Sequence, residues 1–209
     1  MTIKKGQDWG CLVAKPKDLH LVADDFEASY FLSQHLSVGG APVEISILKS
    51  DLARSLGISG ANVNKNEMLQ THFDVIETIF IGDGQTSVDR RLFLGHAFVQ
   101  NGFATGAKVG VLNSSFVGKR NWAPRAHPND GKFDVVEIEQ SMSIRQRLKA
   151  YSLMRSGSHL PHPKINYRQV VDYSADCINL PRLYIESKLV GTVVQCSFKI
   201  MPDAAVLYW

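Results

Sequence analysis

Apolar residues come in short runs rich in Val, Ile and Phe, cut by Gly, Pro, Asn or Asp, and that punctuation predicts strands. The spacing places strands at 10–14, 19–22, 43–48, 73–81, 92–99, 108–113, 133–138, 164–171, 182–186, 192–200 and 204–208. In "FDVIETIF" the set Phe73, Val75, Glu77, Ile79 alternates with Asp74, Ile76, Thr78, Phe80. Both sets carry apolar members, which suits a strand packed on both faces of a sandwich.

Helical periodicity is confined to three segments. Residues 24–36 form one, with Phe26, Tyr30 and Leu32 or His35 near one side, and 51–57 form a short turn closed by Gly57. In "SIRQRLKAYSLMRSG", Ser143 is an N-cap candidate, Ile144, Leu148 and Tyr151 recur at helical spacing, and Gly157 ends the helix. Arg145, Arg147 and Lys149 lie on its other face, which reads as solvated. With no repeat, low-complexity tract or linker, residues 1–209 read as one domain. The expected fold is mainly β, an antiparallel two-sheet β-sandwich with two or three short helices.

One stretch, "IFIGDGQTSVDRR" at 79–91, raises the question of a phosphate loop. Such a loop needs a strand before it and a helix after it, so that N–H groups at the helix start face the anion. The residues after Thr86 are strand-like, and Asp83-Gly84 is a strong turn dipeptide. The stretch therefore reads as a hairpin tip.

Composition narrows the classes further. Hydrophobic residues make up 44% and charged residues 21% of 209, with a net charge of +3, so the chain reads as globular with a mixed surface. Cys11, Cys177 and Cys196 are scattered with no CxxC pair, which argues against a disulfide framework or a cysteine zinc site. The apolar run 11–14 is too short for a signal peptide, and no stretch approaches transmembrane length, so a cytoplasmic setting is expected. Two histidines three apart, His159 and His162, flank prolines off any helix and read as a structural loop. Lys119, Arg120, Arg125 and His127 cluster around Trp122, but no nucleic-acid module surrounds them, so no nucleic-acid partner is expected.

The order of motifs carries a resemblance. "GVLNSSFVGKRNWAPRAHPNDGKFDVVEI" at 110–138 runs strand, asparagine, small-residue loop, Pro124-x-Ala126, then Asp130-Gly131 and a strand. "MSIRQRLKAYSLMRSGSHLPHPKI" and "LYIESKLVGTVVQCSFKIMPDAAVLY" come next in turn. This resembles the C-terminal domain of the bacterial diacylglycerol kinase and sphingosine kinase-like lipid kinases, most closely over residues 100–209. In that family a nucleotide-binding domain with a G-G-D-G-T hallmark precedes a β-sandwich, and ATP and lipid meet between them. The first hundred residues here read instead as strands and hairpins, so ATP is not expected to bind this chain alone.

The resemblance implies specific residues. Asp130, with the carbonyls of His127 and Lys132, matches a structural magnesium-type site; an Asp-Gly turn with Asp130 bonded to backbone N–H groups is the alternative. Asp134 is either a neighbour of that site or a strand-entry residue. Where the family turn reads D-G-E, this chain has Glu186, Ser187 and Lys188, so a lysine stands at the glutamate position and cannot accept a hydroxyl proton. Glu186 is a weak substitute, expected on the other side of the turn, and no catalytic residue is expected. Asn113, Lys119, Arg120 and Arg125 are the candidate ligand- or phosphate-binding residues.

Three functional readings fit these residues. The first is a stand-alone module, non-catalytic alone, that binds an anionic lipid or phosphorylated ligand or pairs with a partner subunit, in the cytoplasm or at the periphery of a membrane. The second is a lipid-kinase half completed by a separate nucleotide-binding chain. The third is a homodimeric structural protein, with the closing "AVLYW" segment free as a pairing edge.

Overall fold

The computed structural model describes residues 10–37, 39–57, 67–102, 105–178 and 181–209. In chain order the elements are β1 (Cys11–Ala14), β2 (His20–Asp24), α1 (Asp25–His35), β3 (Val43–Lys49), α2 (Asp51–Ser55), β4 (Glu67–Gly82) and β5 (Asp89–Phe93). They continue with β6 (His96–Gln100), β7 (Lys108–Leu112), β8 (Phe116–Val117), β9 (Arg120–Asn121), β10 (Phe133–Ile138), α3 (Ile144–Leu153), β11 (Ile165–Val170), β12 (Asp172–Ala175), β13 (Arg182–Ile185) and β14 (Lys188–Tyr208). Among the described residues the architecture is mainly β, with predominantly antiparallel sheets and three helices, as the spacing of apolar residues predicts.

β14 belongs to two sheets at once. Its first residues pair with β13, which continues through β6, β7, β10 and β11. From Val193 onward it pairs with β4, which also carries β1 and β5. The two segments expected at 192–200 and 204–208 are thus one long strand. A bulge between Met201 and Ala205, with Asp203 at φ 53, absorbs the Pro202 interruption.

At 79–91 the hairpin reading holds: β4 and β5 pair antiparallel, and Gly84 turns between them at φ 71. The strand expected at 92–99 divides at Gly95, where the chain closes around the Glu186 side chain. The expectation of strands and hairpins throughout the first hundred residues needs correction. β2 and β3 pair in parallel, α1 connects them, and β3 pairs in parallel with β14. The individual elements were legible, but a parallel pairing depends on tertiary contacts across a helical crossover.

Alternation places three apolar layers. Phe93, Phe133, Val135 and Phe198 pack between the two sheets. Val136, Ile138 and Leu112 face the opposite side, towards Met142, Ala150 and Met154 around α3. Leu32, Ile45, Phe73, Leu207 and Trp209 join the parallel unit to β4 and β14. Each fully buried phenylalanine contributes about 1.5–3 kcal/mol from surface removed from water.

Both longer helices depart from the expected faces. α1 buries Ala28, Ser29 and Leu32 and leaves Phe26 and Tyr30 exposed. Small residues win because the helix docks on β5 through hydrogen bonds. Ser29 Oγ donates to the Leu92 carbonyl, and Ser33 Oγ accepts from Leu92 N–H at 2.8 Å. On α3, Ser143 forms a capping box with Gln146, yet Ile144 and Leu148 remain 54% and 64% exposed. Arg147 is not on a solvated face; it donates to the carbonyls of Met142, Gly106 and Glu139 at 2.7–2.9 Å. The closing segment is no free edge either: Ala205–Leu207 lies between β3 and β4, and Trp209 is buried against Phe73.

Candidate functional site

Two cavities meet at the turn between β13 and β14. Ile185 pairs with Lys188, so only Glu186 and Ser187 make the turn, at φ 45 and 64. Two successive positive φ values match the twist of the flanking strands. The turn carries the Glu186 side chain inward, where it is 1% exposed. Its Oε1 accepts from the backbone N–H groups of Gly95 at 2.7 Å, Leu94 at 3.2 Å and His96 at 3.4 Å.

This arrangement explains the break at Gly95. A Cβ there would lie 2.9 Å from Glu186 Oε2, so only glycine lets the chain fold closely around the carboxylate. Asn113 holds the other side of the same corner. Its N–H donates to Gly95 O, and its Nδ2 donates to the carbonyls of Leu94 and Asp74. Asn113 therefore positions the corner from a fully buried place.

His96 completes the buried group. Its Nδ1 lies 3.2 Å from Glu186 Oε2, off the line of good donation, and its Nε2 lies 2.9 Å from Ser187 Oγ. Burial lowers the imidazole to about 4, against a smaller opposing pull from Asp51. Glu186 is raised well above the usual carboxylate range, first by burial and then by Asp25.

Asp25 enters from the start of α1. Its Oδ2 accepts from Asp51 N–H at 2.8 Å, its Oδ1 is buried without a hydrogen bond, and burial pushes it up to about 6. The cleft between this parallel unit and the sandwich has a volume of about 780 Å3, with Lys49, Arg54 and Lys188 also on its walls. Asp24 caps α1 by accepting from Glu27 N–H, and Glu27 Oε2 accepts from Ala23 N–H, so carboxylates occupy the place a phosphate would take.

The second cavity, of about 430 Å3, opens between α3 and the sheet of β6, β7 and β10. Phe98 and Trp122 stack edge to face at 4.9 Å, and Met142 and Met154 lie deeper in the wall. Three basic side chains line it: Lys108, Arg120 and Arg147. Lys108 Nζ sits 5.8 Å and 5.7 Å from the Phe98 and Trp122 ring centres, and burial with Arg147 nearby lowers it to about 8. The Arg120 guanidinium lies 3.5 Å over Tyr151. Among the described residues that line the cavity there is no carboxylate. Ser187 is part of both cavity walls.

The structure does not gather the four expected ligand-binding residues. Asn113 is buried, Lys119 is exposed on the β8–β9 turn, and Arg120 faces the apolar cavity. Arg125 stacks 4.5 Å over Tyr167 elsewhere. At the expected metal position Asp130 Oδ1 accepts from Lys132 N–H at 3.0 Å, which is the Asx-turn alternative, and His127 Nδ1 accepts from Asn129 N–H. Asp134 is buried nearby, raised to about 6 by burial, with Oδ1 unbonded. No group of three or more His, Cys, Asp or Glu side chains converges among the described residues. His159 bonds the Trp122 carbonyl and His162 accepts from Lys164 N–H, both serving the loop.

Glu186 lies inside the cleft and Lys188 on its exposed wall, the reverse of the expectation from the turn. A two-residue turn with paired positive φ values tips its first side chain inward. Residue-type reasoning missed His96, Asp25, Lys108 and Ser187. The one legible signal was Gly95-His96 inside an apolar strand pattern, which marks a close backbone approach.

Searches by sequence give no matching family model and no matching curated protein. Searches by structure do match. A protein from Bacillus anthracis str. Sterne, provisionally described as a diacylglycerol kinase, superposes with TM-score 0.64 at 12% identity. The match covers 91% of this chain and 77% of that one. The likeness is one of fold. A second structure with the same description gives TM-score 0.61 at 12% identity, and a further diacylglycerol kinase structure from that organism gives 0.50 at 10%. Among the described residues no helix is long and apolar enough to cross a membrane.

Proposed function

We propose that this chain is an amphiphile-binding module built on the lipid-kinase fold and related to the C-terminal part of those kinases. One apolar chain occupies the α3 cavity, and an anionic head group lies among Lys108, Arg120 and Arg147. The observation that carries the reading is the lining: aromatic and methionine side chains, three cations and no carboxylate. A cavity of about 430 Å3 falls within the range typical of small-molecule sites. Ile144, Leu148 and Tyr151 are exposed at its rim beside exposed Arg145 and Lys149, a face suited to taking a ligand from an anionic membrane surface.

Phosphoryl transfer by this chain alone is disfavoured, because the start of α1 presents Asp24, Asp25 and Glu27 where a phosphate cradle would need free N–H groups. Titration calorimetry with decanoate, decanol and inorganic phosphate tests the reading. Decanoate should bind one to one, decanol more weakly, and phosphate not measurably. Equal binding of decanoate and phosphate would refute it.

A second reading, a kinase half completed by a nucleotide-binding chain, is favoured by one observation. Glu186 is a carboxylate buried in the cleft at the turn where the resemblance places one. Lipid phosphorylation that appears only when such a chain is added, and disappears in Glu186→Gln, would establish it.

A further inference from the structure

The β13–β14 turn and the β5–β6 corner bring a hydroxyl, an imidazole and a carboxylate into one line. Ser187 Oγ lies 2.9 Å from His96 Nε2, and His96 Nδ1 lies 3.2 Å from Glu186 Oε2. Glu186 is anchored by three backbone N–H groups through its other oxygen. His96 is 3% exposed, whereas Ser187 is exposed where the polar cleft meets the apolar cavity.

We propose that Ser187 is a nucleophile activated by His96, with Glu186 as the positioning residue, and that the substrate class is carboxylic esters with an apolar acyl chain. Nucleophile, base and orienting acid in this order are what acyl transfer needs, and the constellation is recognised by geometry rather than chain position. Hydrogen bonds of this kind are often loose until substrate binds. The nucleophile assignment stands by itself; the choice of acyl chain rests on the amphiphile reading of the α3 cavity.

In the first step Ser187 Oγ bonds to the ester carbonyl carbon while its proton passes to His96 Nε2. The carbon–oxygen bond to the alcohol then breaks, and His96 returns that proton to the leaving oxygen. Water attacks the acyl-serine in the same way, releasing the carboxylic acid and restoring the serine hydroxyl. Lys49, Arg54 and Lys188 share the cleft wall with Ser187, alongside Asp24, Asp25 and Asp51. Burial keeps His96 neutral near pH 7, so its lone pair is available. Glu186 Oε2 faces His96 Nδ1 and orients the ring, with Asp25 from α1 acting on Glu186 and Asp51 beside α2 acting on His96.

The test uses the whole chain with an alkyl fluorophosphonate and with p-nitrophenyl acetate and octanoate. Ser187→Gly removes the hydroxyl and suits the positive φ, so folding is preserved. The expected result is a fluorophosphonate adduct mapped to Ser187, faster cleavage of octanoate than acetate, and a fall of about 100-fold or more in Ser187→Gly. Glu186→Gln should lower kcat while leaving KM for octanoate unchanged. No adduct at Ser187, or equal turnover by Ser187→Gly, would overturn the nucleophile. Ser187-dependent cleavage of acetate with no gain for octanoate would overturn the substrate class and the amphiphile reading, leaving the nucleophile in place.

Discussion

Replacing Glu186 by alanine removes the acceptor that three backbone N–H groups share. A buried donor left unsatisfied costs about 1–3 kcal/mol. The Gly95 bond at 2.7 Å counts in full, and those of Leu94 and His96, at 3.2 Å and 3.4 Å, count for less. The sum is about 3–5 kcal/mol, part of which is offset because a buried carboxyl beside Asp25 is also removed. A net loss of about 3 kcal/mol should lower Tm by about 6–12 °C for a chain of this size.

Glu186→Gln separates the two effects, since the amide oxygen keeps the acceptor and the charge is gone. Glu186 is held above its unfolded value of 4.5, so the folded state binds more protons between 4.5 and its raised value. That contribution to stability is present below about 4.5 and is lost as the pH rises through the folded value. The Tm of Glu186→Gln should therefore exceed that of the parent by a margin that grows from pH 4.5 upward. Thermal melts by circular dichroism across pH 4–8 read both variants. A Glu186→Ala melt within 1 °C of the parent at pH 7, or equal damage by both substitutions, would refute the reasoning.

Three further outcomes rest on the same geometry. Gly95→Ala should destabilise by about 1–3 kcal/mol in denaturant melts, because its Cβ would press on a carboxylate that cannot retreat. Leu148→Lys, at a site 64% exposed, should leave Tm unchanged yet weaken decanoate binding in calorimetry by about tenfold. Lys108 is lowered from 10.5 to about 8, so the parent should gain stability as pH rises from 8 towards 10.5, where the folded state has shed a proton that the unfolded chain keeps. Lys108→Met should remove that gain, and it should abolish the decline of decanoate affinity above pH 8.

How much was legible in the sequence depends on the range of the interaction. Strand alternation and turn dipeptides are local, so the hairpin at Asp83-Gly84 and the capped helix after Ser143 could be read directly. Faces of α1 and α3 could not. Ser29 and Ser33 win the buried side of α1 through bonds to β5, and an open cavity rather than a core lies under Ile144 and Leu148. The site suffered in the same way. Glu186 was visible as a residue, but its inward direction is set by two positive φ values and by N–H groups some ninety positions away in the chain. Lys108 reads as an ordinary strand-end lysine until Phe98 and Trp122 close over it.

The central claim is that an apolar chain enters between α3 and the sheet. Methyl NMR of the protein labelled at methionine reads it directly, because Met142 and Met154 line that cavity whereas Met68 and Met201 do not. On titration with decanoate, the account predicts shifts of the Met142 and Met154 methyl signals that saturate at one equivalent, with Met68 and Met201 unmoved. Binding that leaves Met142 and Met154 unshifted, or that shifts all four alike, would contradict it.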